Sequence, residues 1–168
     1  MKKALAILAL IGLTLILANT GSAQVSANQT VNLAVNSVQK IAITGSAITL
    51  TVTTGTAGSD TLTPVSDNST SYSITHNSST PLRITANLDQ VLSAGYSLRV
   101  NLAPGSGHGT SSGTIDISNA TSSSALAVVT GIPKGADANR AITYTFYATS
   151  SAGTLASIQR TVTLTLTN

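Results

Sequence analysis

The sequence predicts an all-β protein, folded as an antiparallel β-sandwich. Apolar residues recur at every second position along most of the chain, which is the period of a strand with one buried face. The i, i+3, i+4 spacing of an amphipathic helix is scarce after residue 24. Glycine, serine, asparagine and proline punctuate the apolar runs as turn residues do. Together these features predict roughly eight to ten short strands in two stacked layers, with a closed barrel as the alternative.

The predicted strands follow one another along the chain, each with its apolar residues on one face. Their inward-facing residues are Val31, Leu33 and Val35; Ile41 and Ile43; Ile48, Leu50 and Val52; Tyr72 and Ile74; Leu82, Ile84 and Ala86; Leu98, Val100 and Leu102; Ile115 and Ile117; Leu126 and Val128; Ile142, Tyr144 and Phe146; Val162, Leu164 and Leu166.

Two local features add detail to this pattern. Gly45-Ser46 separates two apolar alternations and predicts a tight hairpin between them. The stretch Leu88–Ser93 is the best helical candidate, at one or two turns. The final strand, Thr161–Thr167, alternates threonine with aliphatic residues and predicts one apolar face and one hydroxyl face.

The first 23 residues have the layout of a Sec-type signal peptide. Lys2 and Lys3 precede an apolar run at 4–18, and Gly21 and Ala23 place small residues before a cleavage site at Gln24. The run falls short of the roughly 20 residues that a membrane-spanning helix needs, so an uncleaved anchor is the lesser alternative. We therefore expect a secreted, periplasmic or cell-surface protein whose single domain comprises residues 24–168.

Charge and composition indicate which classes of binding partner the protein lacks and how it is stabilised. The full chain has a net charge of +3, but residues 24–168 hold six basic and five acidic residues, a net charge of +1. Such scattered charges predict no nucleic-acid partner and no membrane partner after signal cleavage. The chain has no cysteine, so stability has to come from an apolar core rather than from disulfides.

The residues that could carry chemistry are few, and we expect no enzyme and no cofactor. His76 should lie at a strand end with a local hydrogen bond, and His108 should be exposed in a glycine-rich loop. No cluster of histidine and acidic residues has the spacing of a zinc site. Asp137 and Asn139 would give a weak calcium site at most, because two oxygen side chains are too few alone.

Exposed tyrosines are the candidate contacts for a glycan. Sugar CH faces stack on aromatic rings. Because Tyr144 and Phe146 share the predicted buried face, Tyr147 should point outward, and Tyr96 could join it. A small secreted carbohydrate-binding module is therefore the second function that we consider.

The two ends of the domain point to a different role. Residues 25–36 alternate, with Val31, Leu33 and Val35 on one face, and the chain closes on the Thr161–Thr167 strand. With the signal peptide and the small, polar body, this pattern resembles the secreted immunoglobulin-like fibre subunits of bacterial surfaces, such as pilins and spore-coat-protein-U-type domains. It departs from many pilins in lacking a cysteine pair.

That resemblance implies a non-catalytic structural or adhesive protein of the cell surface or matrix. Residues 24–37 would form an exchangeable N-terminal strand that is donated to a neighbouring copy, giving a homo-oligomer or filament joined through edge strands. The alternative is a self-contained sandwich whose terminal strands both pair internally.

Overall fold

The computed structural model describes residues 25–168, and the predicted signal peptide, residues 1–23, lies outside them. This part of the chain contains nine strands and one short 3-10 helix, Ser150–Ala152. The strands are β1 (Gln39–Thr44), β2 (Val65–His76), β3 (Leu82–Leu88), β4 (Tyr96–Leu102), β5 (Thr110–Ser111), β6 (Ile115–Asp116), β7 (Leu126–Ile132), β8 (Gly135–Ala148) and β9 (Val162–Thr167).

The strands form two antiparallel sheets, which confirms the predicted all-β sandwich. The larger sheet has five strands in the order β1-β2-β8-β4-β6, and the smaller sheet has four in the order β5-β7-β3-β9. Every paired strand in the two sheets is antiparallel to its neighbour. The immunoglobulin-like connectivity stays a prediction.

The core is aliphatic and lies between the sheets. Most strands contribute alternate residues to it, because successive side chains of a strand point to opposite faces, while β7 buries the adjacent residues Val128 and Val129. The largest fully buried side chains are Tyr72, Leu82, Ile84, Leu88, Leu102, Ile117, Ile132, Ile142, Val100, Val128 and Val129. Most of these residues were predicted to face inward from the alternation alone.

The C-terminal strand was predicted correctly and has a single partner. β9 pairs with β3 from Arg83↔Thr167 to Leu88↔Val162. Its start is tied to the end of β3, since the Asp89 N–H donates to the Thr161 carbonyl at 3.0 Å and the Thr161 N–H donates to Asp89 Oδ1 at 3.0 Å. β9 therefore forms one edge of the smaller sheet.

The predicted hairpin at Gly45-Ser46 is wrong. β1 pairs with β2, not with the residues that follow it, and residues 46–54 belong to no strand. Gly45 has a φ of 131°, and a Cβ there would lie 2.8 Å from Thr70 Cγ2. The glycine ends β1 against β2, because the chain turns away where only a residue without a side chain fits.

The predicted helix at Leu88–Ser93 is also wrong. Leu88 is the last residue of β3, and the following residues are held by other chain segments. The Leu88 N–H donates to the Ala120 carbonyl at 2.8 Å, and the Leu92 N–H donates to the Ser118 carbonyl at 2.9 Å. Long-range backbone bonds thus replace the local ones that a helix would need.

The N-terminal part of the domain forms no strand in the single chain. The chain divides into two units, Met1–Ala34 and Val35–Asn168. In the described part of the first unit, residues 25–34, every residue is exposed and none belongs to a helix or strand. Val31, Leu33 and Val35 alternate with other residues in the sequence, but within the described chain they belong to no strand.

Between residues 25 and 168, no helix has the length and the apolar character needed to cross a bilayer.

Candidate functional site

The two sides of the sandwich end in very different edge strands. On one side the sheets end in β5 and β6, which have two residues each. On the other side they end in β1 and β9, which have six residues each. Short edge strands limit unwanted pairing, whereas long ones offer a row of free N–H and C=O groups. The β1–β9 side is therefore the side that could accept another strand.

A groove runs between these two long edges. It is lined by Ile41, Ala42 and Ile43 from β1 and by Val162, Thr163 and Leu164 from β9, with a volume of about 290 Å³. We call these six residues the edge groove. Four of the six are large aliphatic residues, so the groove favours an apolar occupant with an extended backbone.

The smaller sheet covers β1 only in part at the edge groove. Ile43 pairs with Tyr72, and paired residues of neighbouring strands share a face of the sheet. Tyr72 is 1% exposed, yet Ile43 is 47% exposed. Ile43 thus points toward the interior but is only partly covered by the neighbouring strand β9.

Unpaired backbone continues from both edges of the groove. Residues 46–53 follow β1 and residues 154–160 precede β9, and among the described residues neither stretch makes a backbone–backbone hydrogen bond. Ile48 and Leu50 still pack against the core from the first stretch. The free hydrogen-bonding groups at this side of the sandwich therefore extend beyond the two strands themselves.

The side chains of the candidate donor residues are exposed to solvent. Val31, Leu33 and Val35 are 66%, 88% and 86% exposed. Isolated apolar side chains on a surface are common, but three at alternate positions of an unpaired segment have the spacing of a strand face. We call residues 25–35 the N-terminal arm.

The two candidate glycan contacts lie on opposite faces of the larger sheet. Tyr96 pairs with Ala148, which is buried, whereas Tyr147 pairs with Ser97. The hydroxyl of Tyr96 donates to the Ala152 carbonyl at 3.1 Å, and its ring stacks on Phe146 with centroids 6.3 Å apart. Tyr96 and Tyr147 therefore do not form one aromatic platform.

Tyr147 is also partly covered. The guanidinium carbon of Arg99 lies 4.3 Å from the centroid of the Tyr147 ring. This cation–π contact occupies one face of the ring, which is the surface that a sugar would need for stacking. Arg99 further forms an ion pair with Asp116 at 3.7 Å. A ligand stacking on that face would have to displace Arg99.

The two histidines lie in different surroundings. His76 is the last residue of β2 and is 3% exposed, with neither ring nitrogen hydrogen-bonded within the described chain. The expected local hydrogen bond is therefore wrong, because the inward register of β2 buries the ring among apolar groups. His108 is half-buried rather than exposed as expected.

Asp137 is a structural carboxylate. It is 3% exposed, accepts a hydrogen bond from the Gly105 N–H at 2.8 Å, and pairs with the Arg140 guanidinium. Burial alone would raise its pKa, but the Gly105 N–H and Arg140 outweigh burial and hold the pKa below the usual range. Burial, together with the Asp137 charge, raises the pKa of Tyr72 to about 12.

These contacts leave Asp137 little capacity for calcium. Its two carboxylate oxygens already accept from Gly105 and Arg140, and the guanidinium adds a positive charge beside them. Across residues 25–168, no three histidine or acidic side chains are grouped as a metal site would require.

The groove residues of β1 were not singled out by the sequence analysis. The alternation does place Ile41 and Ile43 on the inward face, but whether another strand covers that face depends on strand order, which is not a local property. Among protein-family models, curated proteins and solved structures, none matches this chain.

Proposed function

We propose that this protein is an exported, non-catalytic structural or adhesive protein of the cell surface or matrix, whose copies join by strand donation. The N-terminal arm of one copy would insert into the edge groove of another. The observation that carries the proposal is Ile43, an inward-facing aliphatic side chain that remains 47% exposed beside a long free edge.

The arm and the edges match in length and pattern. Thr30–Val35 has six residues, as do β1 and β9, and six residues of strand span about 20 Å. Val31, Leu33 and Val35 would face the core together, while Thr30, Asn32 and Ala34 would face outward. Each aliphatic side chain so buried contributes about 1.5–3 kcal/mol before the cost of ordering the arm.

Charge does not oppose the insertion. The N-terminal arm has no charged residue, and neither has β9. The strand could therefore enter the edge groove without removing an ionised group from water, which is the most costly kind of desolvation.

The test is assembly of the mature protein with single changes in the arm. Leu33→Asp should abolish filaments and oligomers in electron microscopy and light scattering, because it places a carboxylate in an apolar groove. Asn32→Asp is the matched control, since the same charge then lies on the outward face and assembly should persist. Removal of residues 24–37 should also abolish assembly. Equal assembly by all of these variants would contradict the proposal.

A carbohydrate-binding module is the second candidate. The observation that favours it is Tyr147, an aromatic side chain that lies half-buried on the outer face of the larger sheet. A glycan array should then show binding by a monomer, and Tyr147→Ala should remove that binding. Binding that also survives the change Leu33→Asp would separate this function from strand donation.

A further inference from the structure

We propose that Asn77 is a positioning residue that fixes the base of the N-terminal arm. The proposal rests on the proposed function, because a fixed base matters only if the arm is donated. Asn77 lies directly after β2, outside the edge groove, and its side chain holds the chain at the point where the arm ends.

The geometry is a clamp made by one side-chain amide. Asn77 Oδ1 accepts a hydrogen bond from the Val38 N–H at 2.7 Å. Asn77 Nδ2 donates to the Asn36 carbonyl at 2.8 Å. The backbone adds a third bond, from the Asn77 N–H to the Val38 carbonyl at 3.1 Å. All three bonds connect residues about 40 positions apart, so they fix tertiary structure rather than a local turn.

The side-chain hydrogen bonds of Asn77 extend the β1–β2 ladder beyond its last pair of strand residues. The last ladder pair is Gln39↔His76, and residues before Gln39 belong to no strand. An asparagine side chain carries one acceptor and one donor group, as a peptide unit does. Asn77 therefore gives Asn36 and Val38 the partners that a further strand residue would have given them.

The clamp also acts where burial contributes little. Residues 25–40 are all exposed, so apolar packing does little to hold the chain before β1. Without the Asn77 side chain, residues 36 and 37 would join the N-terminal arm as free chain, and Val38 would be held only by the backbone bond from the Asn77 N–H. A longer free segment adds ordering entropy to each donation event.

The experiment separates the clamp from assembly. In the mature protein with Leu33→Asp, which should stay unassembled, amide hydrogen exchange is followed at Val38. Adding Asn77→Ala should speed exchange of this amide at least about tenfold, because its acceptor is lost. Asn119→Ala, which changes an exposed asparagine, is the matched control and should leave Val38 unchanged. Unchanged exchange in the Asn77→Ala protein would overturn the clamp.

Assembly is then measured with the wild-type arm. Asn77→Ala should slow filament growth about fivefold, while the thermal midpoint of the protein changes little, and Asn119→Ala should grow normally. Faster Val38 exchange with an unaltered growth rate would show that Asn77 does not position the arm. If the unsubstituted protein does not assemble, the proposed function fails, and Val38 exchange still decides whether Asn77 holds residues 36–38.

Discussion

At the scale of single residues, Asp137 shows how a charge is kept inside a sheet protein. Its carboxylate is 3% exposed and is satisfied by Gly105 and Arg140. A side chain at position 105 would crowd this contact, because an added Cβ would lie 2.8 Å from Asp137 Oδ1 and against the Arg140 guanidinium, which would have to move. The three residues therefore form one unit that links the loop after β4 to the start of β8.

Acid should weaken the protein through this unit. Because the pKa of folded Asp137 is lowered, its contribution to stability is fully present above the unfolded value of about 4. The contribution is lost as the pH falls through the lower pKa of the folded state. Urea unfolding between pH 7 and pH 2 should show this loss, and Asp137→Asn should reduce the dependence on pH.

The same variant should also be less stable at neutral pH. Asp137→Asn removes the charge that pairs with Arg140, and we expect a loss of about 1–3 kcal/mol in the free energy of unfolding. Asp89→Asn, at an exposed carboxylate, serves as the control for the pH dependence. If the free energy of unfolding fell with acid as steeply in Asp137→Asn as in the unsubstituted protein, this account would be contradicted.

Sequence reasoning was least successful at this scale. It named Asp137 only as part of a weak calcium site, and it could not show that β8 begins at Gly135 and buries the carboxylate. It gave His76 a local partner, although the register of β2 turns the ring inward, away from any donor or acceptor in the described chain. Hydrogen-bond partners of single side chains depend on contacts between distant segments.

At the scale of elements, Gly45 decides where β1 ends. It follows the last ladder pair, Thr44↔Ser71, and its φ of 131° lies in the region that favours glycine. A Cβ there would also lie 3.2 Å from the Cα of Thr70, which is backbone and cannot move aside cheaply. Both backbone strain and close approach therefore oppose a side chain.

Substitution of Gly45 should accordingly destabilise the protein strongly. Gly45→Ala should lower the free energy of unfolding by about 2–4 kcal/mol, from the sum of strain and overpacking. Gly58→Ala is the matched control, since Gly58 has a φ of 87° but no atom within 4 Å of the added Cβ. It should cost about 1–2 kcal/mol, the strain alone. Equal losses in chemical denaturation would contradict the role of Thr70.

The elements also show what alternation can and cannot predict. It predicted the inward faces of β2, β3, β4, β8 and β9 correctly, because side-chain period is a local property. It did not predict that β1 pairs with β2, nor that residues 48–52 lie outside any strand. Pairing partners are chosen by the whole fold, and a turn-like dipeptide such as Gly45-Ser46 does not reveal them.

At the scale of the whole molecule, the sandwich ends in short edge strands on one side and in long edge strands on the other. The two-residue strands β5 and β6 end the sheets on one side, and the six-residue strands β1 and β9 end them on the other. The sandwich itself was predictable from period and composition. Which strands end the sheets was not predictable, since strand order is a property of the whole fold.

The central claim is that the edge groove accepts the N-terminal arm as an added strand. Its most direct test is amide hydrogen exchange in the mature Leu33→Asp protein, whose own arm is disabled, with a synthetic peptide of residues 25–36 added. The peptide should slow exchange in β1 or β9, or in both, and the same peptide with Leu33→Asp should not. Unchanged exchange in both strands at saturating peptide would contradict the account.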